Sequence, residues 1–310
     1  MGTVSEARGG PKLLDREGFL AVAMLMPAVL YIVFLVGIPF VMAVLFSFSD
    51  VSVGSPTIDR FTLETFNDVI NDPVFRRSLQ NSFVFTLFAQ GLVLILATVL
   101  AILLNRNFRG KWIVRLLILL PWATPIAIGA INWLWLLDSV YSPLTWILRE
   151  VGLIGAGALL GPRNVIWLGQ ETLAMASIIA IHVWRMLPLS TVIILAGLSS
   201  IPQDIQDAVQ VDGASFLRGW FQVTLPLIRP ILMVAMLFGI IFSFTDMTVV
   251  HVLTRGNPNN TTQVLASWAF YTGIEGGSLA KGAATAIFLM PVLLGVAILM
   301  LRVARRTEVR

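Results

Sequence analysis

Six stretches of the chain, residues 19–46, 81–104, 112–137, 171–198, 227–250 and 282–301, are continuous and mostly apolar. Each is long enough, at about 20 residues or more, to cross roughly 30 Å of hydrocarbon as a helix. They predict an all-α polytopic membrane protein with six transmembrane helices. Composition agrees: 57% of residues are hydrophobic and 12% charged, against roughly 45–50% and about 25% in ordinary globular domains. With 21 basic and 17 acidic side chains in 310 residues, the chain cannot clothe a water-soluble surface of that size. The first stretch is too long for a signal-peptide core and no small-x-small cleavage pattern follows a short apolar region, so it reads as a retained helix kinked at Pro27 or Pro39. The absence of cysteine excludes disulfides, thiol nucleophiles and thiolate metal sites. His182 and His251 are too far apart in sequence for a His-rich metal motif, and each reads as an ordinary packed or helix-end histidine.

The basic residues set an orientation. If both termini are cytoplasmic, 13 of the 21 lysines and arginines fall on the inner side and seven on the outer, with Arg185 inside a span. The inner set comprises Arg8, Lys12 and Arg16; Arg106, Arg109, Lys111 and Arg115; Arg218 and Arg229; and Arg302, Arg305, Arg306 and Arg310. The short turn 105–111 carries three of them and no acid. The expected topology is six helices with both termini in. On the outer side, residues 62–81 place Leu63, Phe66, Val69 and Ile70 at helical spacing, which suits either a helix on the membrane surface or a loop packed on helix ends. Residues 138–170 promise only short elements, and no repeat or separate soluble domain is visible.

The cytoplasmic segment 199–226 is much longer than most turns between bundle helices. Ser200 and Gln203 fit a capping box with Pro202 in the first turn, Gly213 can end the helix, and 214–221 begins a second one. Ile205, Ala208 and Val209 share one helical face; Gln203, Asp207 and Gln210 share another. The run Asp207-Ala208-Val209, Asp212-Gly213-Ala214 and Leu225-Pro226 resembles the Glu-Ala-Ala … Gly … Leu-Pro loop of bacterial ABC-importer permeases, in particular the carbohydrate-uptake branch of maltose and glycerol-phosphate permeases. The family's glutamate is Asp207 here and its second alanine is Val209. The resemblance covers nearly the whole chain. It implies a type I importer permease fold, with this loop as the coupling helix that Gln203, Asp207, Ala208, Val209, Asp212, Gly213 and Ala214 present to an ATPase.

Further features lie at membrane depth. Arg185, in a Trp-basic-x-x-Pro run that also resembles the family, is 13 residues from Leu198, so about 20 Å above the inner side. Asp246 is 16 residues above Pro230, about 24 Å by the same rise. A charge there is costly and calls for a partner, so the two are expected to pair, lining the path or bracing its walls. Asn132, Trp135, Trp184, Phe242 and Phe244 join Arg185 and Asp246 as candidates for a sugar path, because rings stack on sugar C–H faces and amides or carboxylates bond hydroxyls. Many of these aromatics have packing or interface anchoring as the alternative reading. The stretch Leu253-Thr-Arg-Gly-Asn-Pro258, with Thr261 and Thr262, resembles the family's Leu-Thr-x-Gly-Gly-Pro turn, Asn257 replacing a glycine.

The chain holds no G-x-x-x-x-G-K-[ST] and no nucleophile–base motif, so it is not the ATP hydrolase by that route and has no expected catalytic residue, metal or cofactor of its own. The resemblance implies a cytoplasmic N-terminal segment (1–18), a permease domain (19–301) and a basic tail (302–310) in the bacterial cytoplasmic membrane. Its implied partners are a second permease subunit, an ATP-binding subunit dimer carrying ATP and Mg, an extracytoplasmic solute-binding protein and a sugar-like solute, with lipid around it and no nucleic acid. A disaccharide, polyol, sugar derivative or glycerol phosphate all fit. An ion-driven secondary transporter would instead show several intramembrane carboxylates and a repeat, and a membrane-embedded enzyme clustered His, Asp or Glu.

Overall fold

A computed structural model describes residues 17–155 and 165–308. The terminal residues 1–16 and 309–310, with Arg8, Lys12, Arg16 and Arg310, and Arg163 in the long loop lie outside the described residues. All regular structure among the described residues is helical, apart from two isolated bridges. Five helices are long and apolar enough to cross a membrane: Leu20–Ser47, Pro73–Asn105, Glu171–Ser199, Phe216–Thr245 and Leu279–Met300. A sixth span results if a bent pair of helices is counted as one.

Helices α1 (Glu17–Ile32) and α2 (Ile38–Ser47) form the first span, joined through a π-turn at Val33–Gly37. The irregularity sits just before Pro39, whose missing N–H is accommodated by the wider turn, while Pro27 lies inside α1. Next comes α3 (Glu64–Asn71), which packs Phe66 and Val69 onto the ends of other helices and leaves Leu63 and Ile70 exposed. Phe66 meets Phe48 and Phe288, and the Thr65 hydroxyl donates to the Ser49 carbonyl at 2.8 Å. The helix α4 (Pro73–Asn105) starts eight residues before its apolar stretch, because Asp72 accepts from the Val74 N–H and Pro73 sits in the first turn. Its 33 residues span about 50 Å, so α4 outreaches the hydrocarbon.

The core is built on α4 and α8 (Glu171–Ser199), which run parallel: Phe85 lies level with His182, and Ala97 and Ala101 pack with Ile194 and Leu198. Buried alanines at 89, 97 and 101 allow the close approach that membrane helices need in place of a hydrophobic drive. The helix α11 (Leu225–Thr245) lies across both. A Cβ on Gly239 of α11 would overlap the Gln90 side chain of α4, and one on Gly197 of α8 would come within 2.8 Å of Ile231 Cδ1. Arg77 and Glu171 form an ion pair between the first turns of α4 and α8. At this end, Asp138 accepts from the Val140 and Tyr141 N–H groups, which hold its carboxyl below the usual range, before the short helix α7 (Pro143–Glu150).

Two of the six expected spans are interrupted by extended backbone. The stretch 112–137 folds as α5 (Lys111–Ala123) and α6 (Ile126–Leu136), bent by 98° at Thr124–Pro125. Pro125 cannot donate, and it drives Thr124 into extended conformation, with ψ 129°. The stretch 227–250 breaks after Thr245 and restarts as α12 (Thr248–Leu253). Beyond a turn, α13 (Leu265–Phe270), α14 (Leu279–Ile287) and α15 (Leu289–Glu308) complete the chain.

Gly197→Val is expected to lower stability by about 1–3 kcal/mol through overpacking against Ile231. Gly91→Ala on the same core helix pair, where a Cβ meets nothing, is expected to leave stability unchanged or slightly raised. Thermal unfolding of the detergent-solubilised protein measures both.

Candidate functional site: a polar lock at two helix breaks and a projecting loop

The break between α11 and α12 is organised by Asp246, whose own backbone is extended, with φ −76° and ψ 104°. Its Oδ1 accepts from the Thr248 and Val249 N–H groups at 3.0 and 3.3 Å, satisfying donors that the new helix leaves orphaned. Its Oδ2 faces α8, with His182 Nδ1 at 2.7 Å and Arg185 Nη1 at 3.3 Å. His182 is fully buried; its Nε2 lies 3.0 Å from Ser243 Oγ and its ring meets Phe85 edge to face at 4.9 Å. With neutral imidazole, Nδ1–H donates to the carboxylate and Nε2 accepts the serine proton; with imidazolium both nitrogens donate. The expected Arg185–Asp246 contact is therefore present, but as part of a larger cluster.

His182 is the member that sequence reading passed over. It stands three residues before Arg185, so both project from one face of α8 toward the same carboxylate. That spacing was the available signal.

The second break meets the same cluster. Arg185 and Trp184 border a cavity of about 10 Å³, at the lower limit for one water, whose other walls include Thr124, Ile126, Gly129 and Val249. The Arg185 side chain, 23% exposed, thus joins the buried carboxylate to the bend between α5 and α6. Trp184 packs edge to face on Trp133 at 5.6 Å, and Phe242 on Trp122 at 6.0 Å. Of the proposed path residues, Trp184, Arg185, Phe242 and Asp246 come together here. Asn132 and Trp135 lie on exposed faces of α6. Phe244 turns the other way, into the core with Phe75 and Leu265.

Beyond α12, the turn 254–263 contains a cis Asn257–Pro258 bond and left-handed Arg255, Gly256, Asn259 and Asn260. Asn81 Nδ2 donates to the Thr261 and Gln263 carbonyls at 2.7 and 2.9 Å, and the Leu265 N–H donates to Ser82 Oγ at 2.8 Å, so the turn is stapled to α4. His251 touches Tyr271 OH through Nδ1 at 2.8 Å.

At the opposite end, 199–226 folds as helix α9 (Gln203–Val211), helix α10 (Phe216–Gly219) and a π-turn, Trp220–Thr224, that feeds α11. The expected capping box does not form. Pro202 occupies the cap position and the Ser200 hydroxyl donates to the Gly197 carbonyl at 2.8 Å, because Ser200 still belongs to the end of α8. Gly213 does end α9, left-handed at φ 66°, with Gly213 N–H on the Gln210 carbonyl and Ala214 N–H on that of Val209. Gln203 Nε2 donates to Asp207 Oδ1 at 3.0 Å on the outer face. Ala208 lies on that exposed side with Asp207, Asp212 and Gly213, contrary to its expected place on the apolar face, whereas Val209 turns inward onto Gly219. Exposed Val211, Phe216, Leu217 and Phe221 add an apolar patch to this end.

Broken apolar spans, a buried ionic cluster and a projecting two-faced loop define a membrane permease subunit. Residues 93–309 match the family model described as binding-protein-dependent transport system inner membrane component, and the chain belongs to that family. It is 33% identical to the trehalose/maltose transport system permease protein MalF of Thermococcus litoralis over 71% of this chain and 72% of that one. It is 29% identical to the sulfoquinovosyl glycerol transport system permease protein SmoG of Agrobacterium fabrum over 94% and 92% of the two chains. Its fold matches a chain in the crystal structure of a bacterial alginate ABC transporter in complex with an alginate pentasaccharide-bound periplasmic protein, at a TM-score of 0.80 and 19% identity, covering 94% of this chain and 96% of that one.

Asp246→Ala is expected to cost about 3–5 kcal/mol, since it leaves Arg185 facing the interior unpaired and uncaps α12. His182→Ala is expected to cost about 1–3 kcal/mol from the unsatisfied Ser243 and carboxylate groups. Thermal unfolding in detergent checks both, and near-equal losses from Asp246→Ala and an exposed substitution such as Asp59→Ala would contradict the assignment.

Proposed function

We propose that this chain is one of two membrane subunits of an ATP-driven importer and forms part of the path for a sugar or sugar-like solute. The observation that carries the reading is the ordered unit α9–Gly213–α10–Leu225-Pro226, which projects at one end with its polar face free. Its outer residues Gln203, Asp207, Ala208, Asp212 and Gly213 would seat on the ATP-hydrolysing dimer, which holds ATP and Mg. Val209 and Ala214 would hold α9 to the membrane part. The sugar assignment is supported by the solutes in the names of the relatives: trehalose and maltose, sulfoquinovosyl glycerol, and alginate.

The geometry offers a route for coupling. Val209 presses on Gly219, so a Cβ there would come within 2.9 Å of its methyl group. Movement of α9 therefore passes to α10, through the π-turn into α11, and along α11 to the Asp246 break. There His182 and Arg185 hand it to α8 and to the α5–α6 bend. Trp184, Arg185, Phe242 and Asp246 line the solute path in this scheme, with Asn132 and Trp135 of α6 nearer the far end and Phe244 buttressing from behind. The far end, bearing α3, α7 and the 254–263 turn, receives the solute-binding protein. The first span, none of whose most apolar window is buried in this chain, is free to pack on the second permease subunit and on lipid. The basic bias supports a topology with the α9 end and both termini in the cytoplasm of a bacterial cell.

Two measurements test this. In the otherwise cysteine-free chain, a single cysteine at Val211 should react with a membrane-impermeant maleimide only in inside-out vesicles, and one at Tyr141 only in intact spheroplasts. Gly213→Val, strained at φ 66° by about 1–2 kcal/mol, should release the co-purifying ATPase and abolish stimulation of its hydrolysis by loaded binding protein. An assembled, coupled complex after removal of residues 208–213 would overturn the docking assignment.

A further inference from the structure

Behind α9, where α4 and α8 end and α11 begins, lies a cavity of about 450 Å³. That volume is in the range of small-ligand pockets, roughly 300–1,000 Å³. Most of its lining is apolar: Ile102, Leu198, Ile205, Val209, Phe216 and Val223 among others. The polar groups at its edge are Asn105, Gln206, Gln210, Ser215 and Thr224. Among the described residues Arg106 is the one charged side chain in its walls; the carboxylates of α9, Asp204, Asp207 and Asp212, are not part of it.

Arg106 opens the turn between α4 and α5, which continues through Arg109 and Lys111, with Arg115 one turn further. None of these four cations forms an ion pair among the described residues. Gly110, left-handed at φ 84°, makes the turn tight, so three cations are held within six residues of chain. The turn also sits at a membrane boundary. Asn105 ends α4, Ser199 ends α8 and lies 3.4 Å from it, and exposed Trp112 stands beside Lys111 as interfacial tryptophans do.

We propose that this cavity is a binding site for one anionic phospholipid. The phosphodiester sits against Arg106 and the cations of the turn, and the upper part of an acyl chain fills the apolar space between α4, α8 and the π-turn Trp220–Thr224. An apolar slot with a single cationic wall at the headgroup level selects an amphiphile with a negative head. A soluble anion would leave the apolar walls empty, and a zwitterionic lipid would leave the unpaired cations uncompensated. Because Ile205 and Val209 form part of the wall, the bound lipid supports α9 from behind, on the face opposite the one proposed to meet the ATPase. The site rests on the proposed reading only for its placement at the cytoplasmic leaflet.

The test uses the full chain, and separately the assembled importer, in nanodiscs of phosphatidylcholine with a minority of phosphatidylglycerol. Lipid retained after detergent extraction is counted by native mass spectrometry. Phosphatidylglycerol should be enriched over its share of the bilayer, and Arg106→Gln should lower that enrichment about five-fold, the effect of one juxtamembrane cation. Val223→Trp, which fills the slot without changing charge, should displace the lipid; should that variant not fold, the exposed Arg106→Gln decides alone. Equal retention of the two lipids, enrichment unchanged in Arg106→Gln, or displacement of the lipid by millimolar inorganic phosphate would each overturn the proposal. Retention is read without transport. Loss of the ATPase with lipid enrichment intact would count against the importer assembly, and the reverse against the lipid site.

Discussion

In hydrocarbon a backbone N–H or C=O has no water to turn to, so a helix can stop only where something else satisfies the groups it abandons. That constraint explains why Asp246 is where it is. Its carboxylate replaces the missing helical partners of Thr248 and Val249 and is itself neutralised by Arg185 and held by His182. The charge is there to make an interruption possible. The arginine, histidine and serine around it are the cost of placing a carboxylate at that depth.

The interruption in turn shapes the molecule. A straight α11 would continue past residue 245; the break lets α12 turn aside and pack on α6, the second half of the other broken span. Both discontinuities then converge on Arg185 and Trp184, where α8 passes between them. Away from this point, α4, α8 and α11 approach closely through Ala97, Ala101, Gly197 and Gly239, which makes them a rigid frame. The projecting loop is attached to this frame at the start of α11.

Much of this was legible in the residues. Apolar length located the spans, and depth arithmetic alone paired Arg185 with Asp246. The loop 199–226 announced a helix closed by glycine, because left-handed geometry at Gly213 is a local requirement that local sequence states. Other features were misread for identifiable reasons. The 98° bend was hidden because apolar residues continue on both sides of Pro125, and hydropathy does not register direction. The capping box at Ser200 failed because α8 runs on through Ser199 and uses Ser200's hydroxyl for its own last carbonyls. Phe244 and Phe242, two residues apart on one helix, pack respectively with Phe75 and Leu265 and with Trp122, Val183 and Met186. Only the rotation of α11 about its axis separates them.

The sequence by itself determined the solvent of this protein, the number of apolar segments and the identity of the loop that projects, because each follows from composition or from contacts within a few residues. The tertiary structure alone decided that two spans are broken, that His182 belongs with Asp246 and Arg185, and that a cavity lies behind α9 with Arg106 in its wall. Those are relations between residues far apart in the chain, 64 positions for His182 and Asp246 and more for Arg106 and the residues of 198–224 that share its cavity, and they depend on how helices rotate and bend as they pack. No local pattern carries that information: in an apolar medium hydrophobic periodicity no longer marks an inward face, and polar contacts and close-packed small residues take over the choice.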